Sequence, residues 1–215
     1  MNKVSSQIKD SLRKRHASEK KFKFFGLSGI FLALGFLIII LSTIFLEGKK
    51  AFVSTEVKLK IFFDNDIIDP KNTLEDQVIR SSNFNKIIKL SLMDRFPGVK
   101  KRKDARDLSE LISSSEEENL VNLVLKDKSI IGTTRDLWLK ASSKYDVINK
   151  NPDMENLPEA NRLISNIELA WLTSLKKSGD VRFSLNRTFF TSADSTEPEQ
   201  AGIWGSAVSY THLRA

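Results

Sequence analysis

From Phe24 to Leu46 the chain reads FFGLSGIFLALGFLIIILSTIFL, 23 residues without a charge among them. A helix rising about 1.5 Å per residue needs around 20 such residues to cross the hydrocarbon core of a bilayer. In that layer a helix satisfies each backbone donor and acceptor within itself. The run therefore divides the chain into a short tail before it and a longer segment of mixed polarity after it. At 215 residues, 40% hydrophobic and 28% charged, the whole fits one span and one domain of ordinary size.

Lys3, Lys9, Arg13, Lys14, Arg15, Lys20, Lys21 and Lys23 precede the run, opposed only by Asp10 and Glu19. This tail supplies most of the formal net charge of +7. Cytoplasmic flanks are rich in Lys and Arg, so residues 1–23 read as a basic cytoplasmic tail beside anionic lipid, not as a nucleic-acid site. A cleavable signal peptide has a shorter apolar region and a small-x-small site. Here the run leaves through Leu46-Glu47-Gly48-Lys49, so residues 24–46 read as an uncleaved transmembrane helix. Residues 47–200 are then expected outside, in the periplasm. Gly29 and Ala33, with Gly26 and Gly35 nearby, offer a face for close helix contact in lipid.

From Ala51 to Phe63 the residues alternate. Val53, Thr55, Val57, Leu59, Ile61 and Phe63 point one way, and Ser54, Glu56, Lys58 and Lys60 the other, the period of a half-buried strand. Asp64-Asn65-Asp66 reads as a turn, because the central Gly and terminal Glu of a calcium loop are missing. Asn72-Thr73 is expected to open a helix, broken near Ser81-Ser82-Asn83 and stopped at Phe96-Pro97-Gly98. The basic run Lys100 to Lys103 reads as a solvated loop before a short helix over 104–112.

Ser115-x-x-Glu118 predicts a capping box for a helix to Lys126, with Leu120, Val121, Val124 and Leu125 buried. A second strand is expected over 133–141, with Leu137 and Leu139 on one face and Trp138 on the other. Asn149 to Pro158 reads as an exposed loop. Ser165-x-x-Glu168 predicts another capping box, with Ile167, Ala170, Trp171 and Leu175 at helical spacing and Gly179 as the stop. Val181, Phe183, Leu185 and Phe189 alternate as a third strand. The expectation is one N-terminal transmembrane α-helix followed by an α+β extracytoplasmic domain of about three strands and four helices.

The chain has no cysteine, and its two histidines, His16 and His212, lie near its ends. A histidine-containing triad and a cysteine zinc site are thereby excluded from the domain. No Gly-x-Ser-x-Gly or phosphate-cradling Gly-x-x-x-x-Gly-Lys motif is present. The sequence nominates no catalytic, cofactor-binding or metal-ligating residue and no cofactor. Lys58, Lys60, Arg182 and Arg187 are the candidates for an anion-attracting strand face, against the simpler reading of a solvated one.

The run Asn186-Arg187-Thr188-Phe189-Phe190-Thr191-Ser192-Ala193-Asp194-Ser195, then Glu197-Pro198-Glu199 and Ala201-Gly202-Ile203-Trp204-Gly205, resembles phosphate ABC transporter permeases of the PstA type. It is similar to the subset with a large extra domain between the first and second membrane spans. Phe96-Pro97-Gly98-Val99, the 127–132 stretch and Leu169-Ala170-Trp171-Leu172 share the likeness, which extends over about residues 15–206. The resemblance implies the membrane subunit of an ATP-driven phosphate importer in the bacterial inner membrane. Its implied partners are a second permease subunit, cytoplasmic ATPase subunits and a periplasmic phosphate-binding protein.

Residues 201–208 are then the start of a truncated second span, and 209–215 read as a non-native tail. The phosphate-path and ATPase-coupling residues of such a permease have no positions in this chain, and no catalytic role is expected for this portion. The alternative is a single-span, membrane-anchored periplasmic interaction or sensor protein.

Overall fold

A computed structural model describes residues 2–193, 195–196 and 198–204. Asp194, Glu197 and Gly205 of the signature run lie outside the described residues. So do residues 205–208, half of the second span expected at 201–208, and all of the 209–215 tail. The chain divides into two compact units, one ending at Lys49 and the other beginning at Lys50. The first is a single helix, α1 (Asn2–Gly48). Its apolar part is long and hydrophobic enough to cross a membrane, and Phe24, Ile30, Phe31, Ile39 and Phe45 all stand exposed along it.

The second unit is a small α/β domain on a three-stranded antiparallel sheet, in the order β2-β1-β3. A 3-10 turn over Lys49–Phe52 leads into β1 (Val53–Phe62). This central strand pairs with β2 (Thr134–Lys140) in a register that sets Leu59 opposite Leu137. It pairs on its other side with β3 (Val181–Leu185), Thr55 opposite Phe183. The expected alternation holds in β1: Thr55, Val57, Leu59, Ile61 and Phe63 are buried, while Lys60 and Phe62 are exposed.

Between β1 and β2 lie α2 (Asn65–Ile68), α3 (Asp76–Ser81), α4 (Phe84–Arg95), α5 (Arg102–Ser109) and α6 (Ser115–Lys126). Between β2 and β3 lie α7 (Ser143–Lys150) and α8 (Asn166–Lys177), and α9 (Arg187–Thr191) follows β3. Phe84, Ile87, Ile88 and Leu92 of α4, Tyr145 and Ile148 of α7, and Trp171, Leu172 and Leu175 of α8 join the inner sheet residues in one core. Apolar side chains at three- and four-residue spacing share one face of a helix, which is why these segments close over the sheet.

Several expectations require correction. The helix after Pro70 opens at Asp76, not at Asn72-Thr73. Asn72 and Leu74 stand at φ 52° and 55°, a conformation uncommon for a leucine. It is held by the buried Asp69 carboxylate, which accepts from the Leu74 N–H at 2.6 Å and from the Thr73 hydroxyl at 3.2 Å. Arg102 and Lys103 of the basic run already belong to α5.

The Ser115 capping box does not form, because the helix begins one residue early. Ser114 is the N-cap and makes no side-chain cap bond. Asn149 is buried at the end of α7, not in an exposed loop, and it donates to the Thr55 hydroxyl at 3.1 Å. Phe189 lies in α9, because the Asn186 side chain caps that helix, its Oδ1 accepting the Phe189 N–H, and turns the chain after Leu185. The Ser165–Glu168 box does form, but Ile167 and Ala170 on that helix are exposed. Gly179 ends it at φ 76°, a conformation open to glycine at little cost.

Candidate functional site

The outer face of the sheet carries the polar side chains that the alternation of β1 turns away from the core. Ser54 and Glu56 of β1, Arg182 and Ser184 of β3, and Lys140 of β2 form its floor. The first turn of α6 supplies one wall through Ser115, Glu116 and Asn119. The chain after β3 supplies the other, and the groove so enclosed measures about 830 Å³.

Each charge on the floor meets a partner. The Arg182 guanidinium grips Glu56 through Nη2 at 2.7 Å and Nε at 2.8 Å. It also lies 4.2 Å from the centre of the Trp138 ring, within cation–π range. The Ser184 hydroxyl donates to the second Glu56 oxygen at 2.6 Å. Lys58 pairs with Asp136 of the neighbouring strand at 3.1 Å.

Lys140 is the tie between floor and wall. Its ammonium donates to Asn186 Oδ1 and Thr188 Oγ1, each at 3.2 Å, and to the Glu199 carbonyl. Burial pushes its pKa down, against the attraction of Glu199, Asp146 and Glu116. Glu199 is itself buried. Its Oε1 accepts from the Ser113 hydroxyl at 2.9 Å, while Oε2 has no hydrogen-bond partner among the described residues. Gln200 Nε2 donates to Ser114 Oγ at 2.9 Å. Burial pushes the Glu116 carboxyl up, even though it accepts from the Lys140 backbone N–H and from Asn119.

The segment from Asn186 to Trp204 is thus a strap laid across the end of the sheet. Its return is tight: the Gly202 N–H reaches the Ala193 carbonyl at 2.9 Å. A side chain at Gly202 would place its first carbon 2.3 Å from the Ser192 carbonyl oxygen, so only glycine fits there.

Of the four candidates for an anion-attracting face, Lys58, Lys60 and Arg182 share the outer face. Arg187 opens α9 and belongs to no strand. Glu56 and Asp136 pair with two of the three strand cations, Arg182 and Lys58, so little of the positive charge on this face is left to attract an anion. No cluster of three metal-ligating side chains is found among the described residues. Lys140, Glu116 and Ser113 were not singled out from the sequence, and Glu199 entered only as one residue of the signature run. Lys140 had a detectable signal, two residues from Trp138 on the polar side of an alternating strand. The pairing of Ser113 with Glu199, 86 residues apart, had none.

The groove combines hydroxyls, amides and internally paired charges. Its chemistry is that of hydrogen bonding and of fastening one segment to another. In comparisons with known proteins, a family model described as Domain of unknown function (DUF3333) matches residues 9–159. The match runs from within α1 through α7 and stops before α8, β3 and the strap. No curated protein and no solved structure matches the chain.

Proposed function

We propose that this chain, which belongs to the family described as Domain of unknown function (DUF3333), is the N-terminal portion of the membrane permease subunit of an ATP-driven phosphate importer of the PstA type. In this reading Phe24 to Leu46 is the first span, the basic tail is cytoplasmic, and the α/β domain stands in the periplasm before a second span. The portion has no catalytic role. It works with a second permease subunit, cytoplasmic ATPase subunits and a periplasmic phosphate-binding protein.

The observation that carries the reading is the run from Asn186 to Gly205, which resembles PstA-type permeases. Its order also suits a junction. Lys140, Ser113 and Ser114 fasten the strap to the domain, and Ile203 and Trp204 at its end are exposed and apolar. A segment leading from a folded domain into lipid needs both properties.

The test has two arms. The native reading frame is expected to carry several further apolar spans after Gly205. Deleting the gene is expected to abolish high-affinity uptake of radiolabelled phosphate, and restoring the intact frame to recover it. A native stop codon soon after Gly205 together with unchanged uptake would sink the reading. That pair of results would favour the alternative, a single-span anchored interaction or sensor protein. For that alternative the favourable observation is that the domain closes its own core.

A further inference from the structure

Where β1 begins and β3 ends, three phenylalanines meet. Phe52 and Phe190 stack with centroids 5.7 Å apart, and Phe189 meets them edge-on at 5.4 and 5.2 Å. Ile203 is joined to this cluster through its N–H, which donates to the Phe189 carbonyl at 2.9 Å. Around it Leu185, Phe190, Ile203 and Trp204 keep 62, 42, 48 and 61% of their surface exposed. Large apolar side chains gathered at one corner mark an interaction surface.

We propose that this corner of the domain is seated in the interfacial layer of the lipid bilayer, Leu185, Phe190, Ile203 and Trp204 reaching toward the acyl chains. The inference rests on the reading of Phe24 to Leu46 as a membrane span. Three observations favour lipid as the occupant. Phe52 follows Leu46 by six residues, so even a fully extended chain keeps it within about 20 Å of the end of the apolar run. The corner presents a tryptophan beside phenylalanines, and tryptophan is enriched at the level of the headgroups. The exposed Arg187, at the start of α9 just after β3, adds a positive charge beside the corner that complements anionic headgroups. Seating would hold the sheet in a set orientation to the membrane and keep the outer groove above it.

The chain contains no cysteine, so single labelling sites need no background removal. Leu185→Cys, Ile203→Cys, Ile38→Cys and Lys86→Cys are spin-labelled separately in the full chain. Each is reconstituted into vesicles of phosphatidylcholine with a minor share of phosphatidylglycerol. Relaxation by oxygen reports lipid, and relaxation by a water-soluble nickel chelate reports solvent. Labels at 185 and 203 are expected to meet oxygen more than nickel, at a shallower depth than the label at 38. The label at 86, exposed on α4, is expected to meet nickel.

Labels at 185 and 203 as nickel-accessible as the one at 86, with the label at 38 in lipid, would overturn the seating and leave the span intact. Labels at 185 and 203 shielded from both reagents would also overturn it, since a second copy or another protein would then cover the corner. A nickel-accessible label at 38 would overturn the span reading and the seating together.

Discussion

On the inner face of the sheet, Val57, Leu59 and Ile61 are closed off by the helices packed on β1, α4 and α7 among them. One residue along the same strand, Glu56, Lys58 and Lys60 face outward, and two of the three are paired with a charge on a neighbouring strand. The two faces share a backbone and differ in how they hold. The inner face works by the area removed from water, which needs no particular angle. The outer face works through named pairs that lose much of their strength to the surrounding solvent. The first makes the domain fold, and the second decides what is fastened to it.

The largest effect should come from opening the inner face. Leu59→Ala removes a side chain buried at the centre of the middle strand, a change expected to cost about 2–5 kcal/mol. That is a large share of the roughly 5–15 kcal/mol that holds a domain together. The neighbouring Lys58→Ala breaks an ion pair with both partners well exposed and should cost less than about 1 kcal/mol. Urea unfolding of the two variants in mild detergent, followed by tryptophan fluorescence, measures both. Equal losses would erase the distinction between the faces.

A smaller and more local effect is expected from Lys140→Met. The ammonium makes its bonds to the strap, not to the core. Losing charge-assisted bonds worth about 1.5 kcal/mol or more should raise strap opening about ten-fold. Trypsin reports this at Arg187, the only Lys or Arg between Asn186 and Trp204. Cleavage there should accelerate in the variant while the urea midpoint moves much less than in Leu59→Ala. Unchanged cleavage at Arg187 would mean that the strap is held by its other contacts, those of Glu199 and Gln200.

The inner face was legible in the sequence and the outer site was not, for the same physical reason. Burial by area leaves a period, and β1 and the Ser165-capped α8 carry one, while the run of α1 shows itself by its length without a charge. Pairwise ties leave no period. α7 was missed because only Tyr145, Val147 and Ile148 in it are apolar. Its place is set by remote polar partners: Tyr145 donates to Glu168 at 3.0 Å, and the Thr55 N–H reaches Asp146 at 2.7 Å. α9 was read as strand because Phe189 extended the alternation of Val181, Phe183 and Leu185, whereas Asn186 redirects the backbone. The groove is drawn from β1, β2, β3, α6 and the strap, segments that meet only once the chain is folded.

Two buried carboxylates sharpen the comparison at its smallest scale. Burial pushes Glu168 up, but the hydrogen bonds from Lys144 and from the Ser165 N–H and hydroxyl outweigh it and hold the carboxyl below its usual value. Glu116, beside the groove, is left above its usual 4.5 by burial, with Glu56 adding repulsion. The signs are therefore opposite. Stability owed to Glu168 is in place above the unfolded value and is lost as pH falls through the folded one. For Glu116 the folded state keeps a proton that the unfolded state releases. Its contribution is whole below pH 4.5 and declines as pH rises through the folded value. Glu116→Gln retains an oxygen to accept the Lys140 N–H and removes that titration. Its urea midpoint should exceed that of the parent at pH 7, by a margin smaller than the loss in Leu59→Ala, and the difference should close below pH 4. A difference that stayed constant with pH would mean that Glu116 is solvated as an ordinary surface carboxylate, and the wall of the groove would have to be redrawn without it.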